Sequence, residues 1–384
     1  MDNQPGEIVI SRRKILQLVG ITLASQQVPL KEMLTSMSSQ LNKGRDELVI
    51  EPDFPIIDCQ HHLFDRPGLR YLHEDYLQDM SAGHNIVASV YIETNAFARA
   101  DGPEIMRPLG EIEYANGIGA MAESGYFGKR RMCAAIVGHA DLQVGSRIGA
   151  YLDEALQRAP ERFRGIRQTA NYHPDPMIQR YIPGSPSKGL MRSDSFLLGV
   201  RELAARNLTC DVGVFHQQLP DLAWLADRFP QTLFIINHAA PAVAAGKELS
   251  QSSELFNEWR KSIMNIAERP NVLCKICGLG LPFWGFGFNE RKDTVHYEEL
   301  ALAWEPYIST VLETFGAGRC MAGSDYPPDG QSAGYVPLWN AIKYSVRHAS
   351  DDEKHALFYE TAQRTYRLSL PATVSIRNQA AQGT

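Results

Sequence analysis

The sequence predicts a (β/α)8 barrel carried behind an N-terminal arm. Three observations predict it. Eight short apolar runs recur along the chain, segments with helical periodicity separate most of them, and the runs end in residues that can carry chemistry. Apolar runs that alternate with helices imply parallel βαβ units whose strands are buried on both faces. Eight such units fit a closed barrel, although a doubly wound open sheet gives the same alternation.

The runs are "PIID" (55–58), "IVASVYIE" (86–93), "MCAAIVG" (132–138) and "FRGIRQ" (163–168), then "LTCDVGV" (208–214), "TLFIIN" (232–237), "NVLCKIC" (271–277) and "RCMAGSD" (319–325). Helical periodicity marks "GSRIGAYLDEALQRA", "SFLLGVRELAARN", "LPDLAWLADRFP" and "EELALAWEPYISTVLETFG". The longer insertions after strands one, two, four and seven read as lids or walls over the barrel mouth. Residues 54–370 therefore form the barrel, with 371–384 as a C-terminal tail. Ahead of it, Arg12 and Arg13 precede a short apolar segment closing on Ala24. Residues 1–24 resemble a twin-arginine export signal, which implies a periplasmic protein if it is used and a cytoplasmic one otherwise. Residues 25–53 read as a linker or helical arm.

Composition narrows the function. The 384 residues are 44% hydrophobic, enough for a large core. A net charge of −6 without a long basic run disfavours nucleic acid and anionic membranes as partners. No apolar stretch approaches the ~18 residues of a membrane-spanning helix. Of the six cysteines, only Cys274 and Cys277 have a metal-like spacing, and the second pair that a zinc ribbon needs is missing. All six read as buried structural thiols.

A barrel of this kind holds its site at the carboxyl ends of the strands. Those ends supply His61 and His62, Glu93, His139, Arg167, His216, His238 and Asp325, so five of the eleven histidines fall there. His62, His216, His238 and Asp325 offer a ligand set for a divalent metal such as zinc, which would polarise a carbonyl or acidify a bound water. The same groups suit hydrolysis without a metal: Asp325 takes a proton from water while histidines stabilise the developing oxyanion. Arg167 offers a bidentate fork for a substrate carboxylate, which implies a small anionic substrate, or else pairs with an acid such as Glu93. Lys275, in the middle of strand seven, pairs with a buried acid or reaches the pocket. Loop 281–288, "LPFWGFGF", either walls the pocket or packs as a lid.

The ordered set "IIDCQHHLFD", "VYIET", "FRGIRQT", "INHAAP", "CKICGLG" and "AGSDYPPD" resembles the amidohydrolase-2 branch of the amidohydrolase superfamily. Within that branch it is most similar to the group of sugar lactonases and 2-pyrone-4,6-dicarboxylate hydrolase. The resemblance implies a barrel, a lactone or related cyclic ester as substrate, and a water activated by Asp325. It carries over to His62 and His238, less firmly to Arg167, and leaves His216 at a variable position. The branch holds metal-dependent and metal-independent members. This chain departs at Gln60, where the family pattern has the first histidine of Asp-x-His-x-His. Glutamine is a poor zinc ligand but can donate an amide N–H to a substrate carbonyl, so Gln60 favours metal-free turnover. His61 does not replace it, because neighbouring strand residues face opposite ways. A metal-dependent decarboxylase on the same barrel and a non-catalytic binding protein are the rival readings.

Overall fold

The computed structural model describes residues 43–179, 182–243 and 252–370. The export-signal segment, most of the proposed arm and the tail lie outside the described residues. Eight parallel strands form one sheet in chain order: β1 (Ile56–His61), β2 (Ile86–Ile92), β3 (Arg131–His139), β4 (Phe163–Thr169), β5 (Thr209–Gly213), β6 (Phe234–Ile236), β7 (Val272–Ile276) and β8 (Cys320–Ala322). Each apolar run of the sequence overlaps one of them, and the first, third and fourth strands run beyond theirs. Gly323 to Asp325 prolong β8 towards β1. There Asp325 N donates to Gln60 O at 2.8 Å, His62 N donates to Tyr326 O at 2.8 Å, and His61 bridges Tyr326. These bonds close the sheet into a barrel.

Asp58 reinforces the closure. Its buried carboxylate accepts from Ser324 N at 2.8 Å, Ser324 Oγ at 2.6 Å and Tyr76 Oη at 2.8 Å. Tyr76 comes from α1 (His73–Met80), which follows a short hairpin, Phe64–Arg66 with Leu69–Tyr71, laid over the barrel mouth. The outer layer is completed by α2 (Leu109–Glu123), α3 (Ile148–Arg158), α4 (Asp194–Ala205), α5 (Leu219–Arg228), α6 (Ser253–Ile266), α7 (Tyr297–Phe315) and α8 (Tyr335–Ser345). Ser193 and Ser252 cap α4 and α6, each accepting a backbone N–H of the first turn. Among the described residues, no helix is long and apolar enough to cross a membrane.

Alternation divides the strand residues between two cores. Ile56, Phe163, Val212, Phe234 and Cys274 face the helices. Ile57, Cys59, Val90, Val137, Ile235, Leu273 and Met321 fill the barrel, where Tyr366 from the C-terminal segment packs among them. The inward set also includes three charged residues, Arg167, Asp211 and Lys275. The register of β1 shifts between Asp58 and His61, a bulge against β2. The extra residue lets Cys59 and Gln60 both enter the barrel, turns His61 out and brings His62 in. Outside, the His61 ring stacks on Tyr76 at 4.1 Å and its Nδ1 bonds Val90 O at 2.9 Å.

The described part of the arm, from Lys43 to Asp53, is docked on the barrel without helix. Lys343 donates to Ile50 O and Glu51 O, Asn340 takes the backbone of Leu48 and Ile50, and Arg45 pairs with Asp79 at 2.7 Å. All six cysteines are free and buried.

Candidate active site

Asp325 is the centre of the barrel mouth. It is 1% exposed, and its φ of 51° lies in the left-handed region that a non-glycine residue enters only under local constraint. Gln60 Nε2 donates to its Oδ1 at 2.8 Å, and His62 Nε2 lies 3.1 Å from the same oxygen. His62 Nδ1 is 2.9 Å from the carbonyl of Ile92. A carbonyl only accepts, so Nδ1 carries a hydrogen and Nε2 is the atom turned to the site. His238 completes the group, with Nδ1 3.8 Å from Asp325 Oδ2.

Burial alone would raise the pKa of Asp325. The nearby His238, His62 and Gln60 outweigh it and hold the carboxyl low. Burial is also the main cause that lowers His238, to about 4. A His238 left neutral by burial gives Asp325 no charge near pH 7. With His238 neutral, the Gln60 N–H on Oδ1 and the adjacent His62 ring are what hold the Asp325 carboxyl low there.

His238 begins a run of three residues, His238, Ala239 and Ala240, with φ of 57°, 51° and 51°. Each such residue costs on the order of 1–3 kcal/mol and persists only where its surroundings fix it. Gly278 is part of that fixing. A Cβ at Gly278 would lie 2.0 Å from His238 Nδ1, and its φ of 66° is itself left-handed. Gly278→Ala is expected to displace the His238 ring and lower turnover roughly 100-fold, the scale of a small misplacement in a preorganised site. Steady-state kinetics beside a circular-dichroism melt would check this; unchanged turnover would mean that the ring position is immaterial.

Gln60 lies beneath the cavity with its amide fully committed. Its Oε1 accepts from Asn237 Nδ2 at 2.9 Å and from Lys275 Nζ at 3.1 Å. Lys275 in turn pairs with Asp211 at 2.6 Å, both fully buried, and Tyr366 Oη donates to Asp211 at 3.0 Å. A continuous polar chain thus runs from Tyr366 through Asp211, Lys275 and Gln60 to Asp325. Lys275 can only donate, so it fixes which end of the Gln60 amide faces Asp325.

The cavity above Asp325 holds about 450 Å³, and His62, His238 and Arg167 line it. Gln60 and His216 do not. His216 starts a short 3-10 turn after β5, and its Nδ1 lies 3.4 Å from Pro241 O. Arg167 reaches the cavity already partnered: Nε donates to Glu93 Oε1 at 2.8 Å and Nη2 to Glu93 O at 2.7 Å. Burial opposes the charge of Glu93, but Arg167 and His139 prevail and hold its carboxyl low. His139 lines the wall, with Nδ1 3.8 Å from Glu93. The loop 281–288 serves both purposes read for it. Leu281 and Phe283 line the cavity, while Trp284 and Phe286 pack with Tyr307.

The donor set does not fit a tightly held zinc. Gln60 turns an N–H, not a lone pair, towards Asp325, and His216 lies elsewhere. Among the described residues, no group of three or more His, Cys, Asp or Glu side chains is placed to hold a metal ion. Asp329, which the sequence reading passed over, is buried four residues beyond Asp325. Burial first, and then the charge of Asp325, push its pKa well up, the direction opposite to that of Asp325.

The profile of a family described as amidohydrolase matches residues 57–368. The chain is 31% identical over 298 residues to an uncharacterized protein, y4mH, of Sinorhizobium fredii, covering 78% of this chain and 86% of that one. It is 30% identical over 245 residues to an L-fucono-1,5-lactonase of Burkholderia ambifaria, covering 62% of this chain and 72% of the other. A solved amidohydrolase of Burkholderia multivorans, with bound zinc, superposes with a TM-score of 0.61 at 23% identity, over 82% of this chain and 99% of that one.

Proposed function

The chain belongs to the amidohydrolase family, and on that premise we propose that it hydrolyses a lactone or related cyclic ester, with Asp325 receiving the proton of the attacking water. One observation carries the reading: an ionised, buried carboxylate, fixed by Gln60 and His62, lies at the floor of a cavity of small-molecule size. The likeness to an L-fucono-1,5-lactonase supports a lactone as the cyclic ester.

In this mechanism water sits over Asp325 with the lactone carbonyl above it. As the new C–O bond forms, the water proton passes to Asp325 and negative charge grows on the carbonyl oxygen. A carboxylate held this acidic is a weak base, so much of the rate must come from stabilising that oxyanion. His238, on the cavity wall beside Asp325, is the group placed to do so, while His62 is held against the carboxylate. The tetrahedral intermediate collapses with cleavage of the ring C–O bond. The leaving alkoxide then takes the proton back from Asp325, giving the open hydroxy acid.

Turnover of a small lactone panel, including L-fucono-1,5-lactone, tests the reading, and failure on every member would overturn it. Because the donor set does not fit zinc, dialysis against a chelator is expected to leave hydrolysis within about twofold, since no transition-state contact is lost. Loss of activity that added zinc restores would reverse that conclusion.

A further inference from the structure

His62, Phe64 and Arg66 are spaced two apart, the period at which side chains of an extended segment share a face, and all three line the cavity. They form a ladder away from Asp325. The Phe64 ring is 5.9 Å from the His62 ring, and the Arg66 guanidinium carbon lies 4.5 Å from the Phe64 centroid. Arg66 Nε is buried and has no hydrogen-bond partner, and no carboxylate among the described residues lies within ion-pair reach of the guanidinium. Its contact is the ring behind it, which holds the guanidinium plane and keeps water from one side.

The other cation of the cavity differs. Arg167 spends Nε and Nη2 on Glu93, so its charge is cancelled before any substrate arrives. Burial lowers the pKa of Arg66 and no acid offsets it. A half-buried cation without a partner is unfavourable to the extent that it has lost water, and it becomes favourable when an anion completes it.

We propose that Arg66 anchors a carboxylate on the substrate, remote from the bond that is cleaved, and so selects lactones that carry one acid group. The charge count fits a monoanion: Arg66 is the uncompensated cation, while Asp325 at the floor and Asp141 on the wall repel a second negative charge. That repulsion also orients the substrate, with its acid end at the hairpin and its carbonyl over Asp325. The assignment rests on the hydrolase reading for the reaction, but the subsite itself can be tested without turnover.

The test compares γ-butyrolactone-γ-carboxylate with its neutral methylamide, using wild type, Arg66→Met and Arg66→Lys. Met keeps an apolar stem over Phe64. The ratio of kcat/KM between the acid and the amide is expected to fall about 30-fold in Arg66→Met, mostly through KM, as for a charge-assisted hydrogen bond. Lys keeps the charge without the fork and should fall between. A structural role for Arg66 would lower both substrates alike; an unchanged ratio overturns the proposal while leaving the hydrolase reading standing. If wild type turns over neither lactone, the lactone panel decides the hydrolase reading and calorimetric titration with tetrahydrofuran-2-carboxylate, a monoanion that cannot be hydrolysed, decides the subsite. Binding about 30-fold weaker in Arg66→Met supports the subsite; equal binding, or none to wild type, overturns it.

Discussion

Replacing Asp325 by Asn is expected to lower kcat/KM for lactone hydrolysis about 1000-fold, within the range set by losing a positioned base. The substitution is nearly isosteric. The Asn carbonyl can still accept from Gln60, so the barrel closure and the cavity should persist, and binding of the ring-opened product should stay measurable. The comparison is therefore of chemistry and not of folding. The wild-type pH profile gives a second reading of the same residue. Neighbours hold the Asp325 carboxyl low, so its ionised form is present at neutral pH and is lost only as pH falls through that depressed value. Activity should stay level on the acid side until about pH 4, where His238 begins to take a proton. An Asp325→Asn enzyme of undiminished kcat/KM would remove Asp325 from the mechanism, and an acid limb near pH 6 would point to another base.

Lys275→Met is expected to cost about 3–5 kcal/mol of stability, because it leaves Asp211 as an unpaired charge in the barrel interior. Pairing it with Asp211→Asn removes that charge, and thermal melts should recover much of the loss. Activity should not return with stability. Without Lys275, only Asn237 Nδ2 holds the Gln60 oxygen, and the amide more readily turns that oxygen towards Asp325, where two acceptors face each other and the carboxylate loses a donor. A double variant with both wild-type stability and wild-type kcat/KM would show that Lys275 matters only for folding. One that is stable but impaired would identify Lys275 as a positioning residue acting through Gln60.

The barrel was legible because its strands are short buried runs with polar ends, and burial on both faces writes itself as composition. Asp325, His62 and His238 were legible for the same reason, since each follows such a run. Other features leave no trace at that level. Helix α2 carries alanine and glycine on a broadly buried surface and shows no polar stripe to reveal its period. The pairing of Arg167 with Glu93 and of Lys275 with Asp211 joins strands far apart in sequence, so only the closed sheet brings them together. His216 ends a strand as His238 does, yet the turn that follows β5 carries it towards Pro241 and out of the cavity. Arg66 did leave a trace, in the His-x-Phe-x-Arg spacing, but the extended backbone that makes it meaningful is a three-residue strand too short for pattern reading.

The bulge in β1 gives the first strand an unusual sensitivity to length. Residues along most of the barrel are interchangeable within limits of size and polarity, since each keeps its face whatever its neighbours are. In β1 the count matters more than the identity. Deleting one residue at the bulge would return the strand to strict alternation with His62 still inward, but it would leave one inward side chain where Cys59 and Gln60 now supply two. A shortened chain would therefore fold into a barrel with the right imidazole pointing inward and either a gap in its core or no amide donor on Asp325.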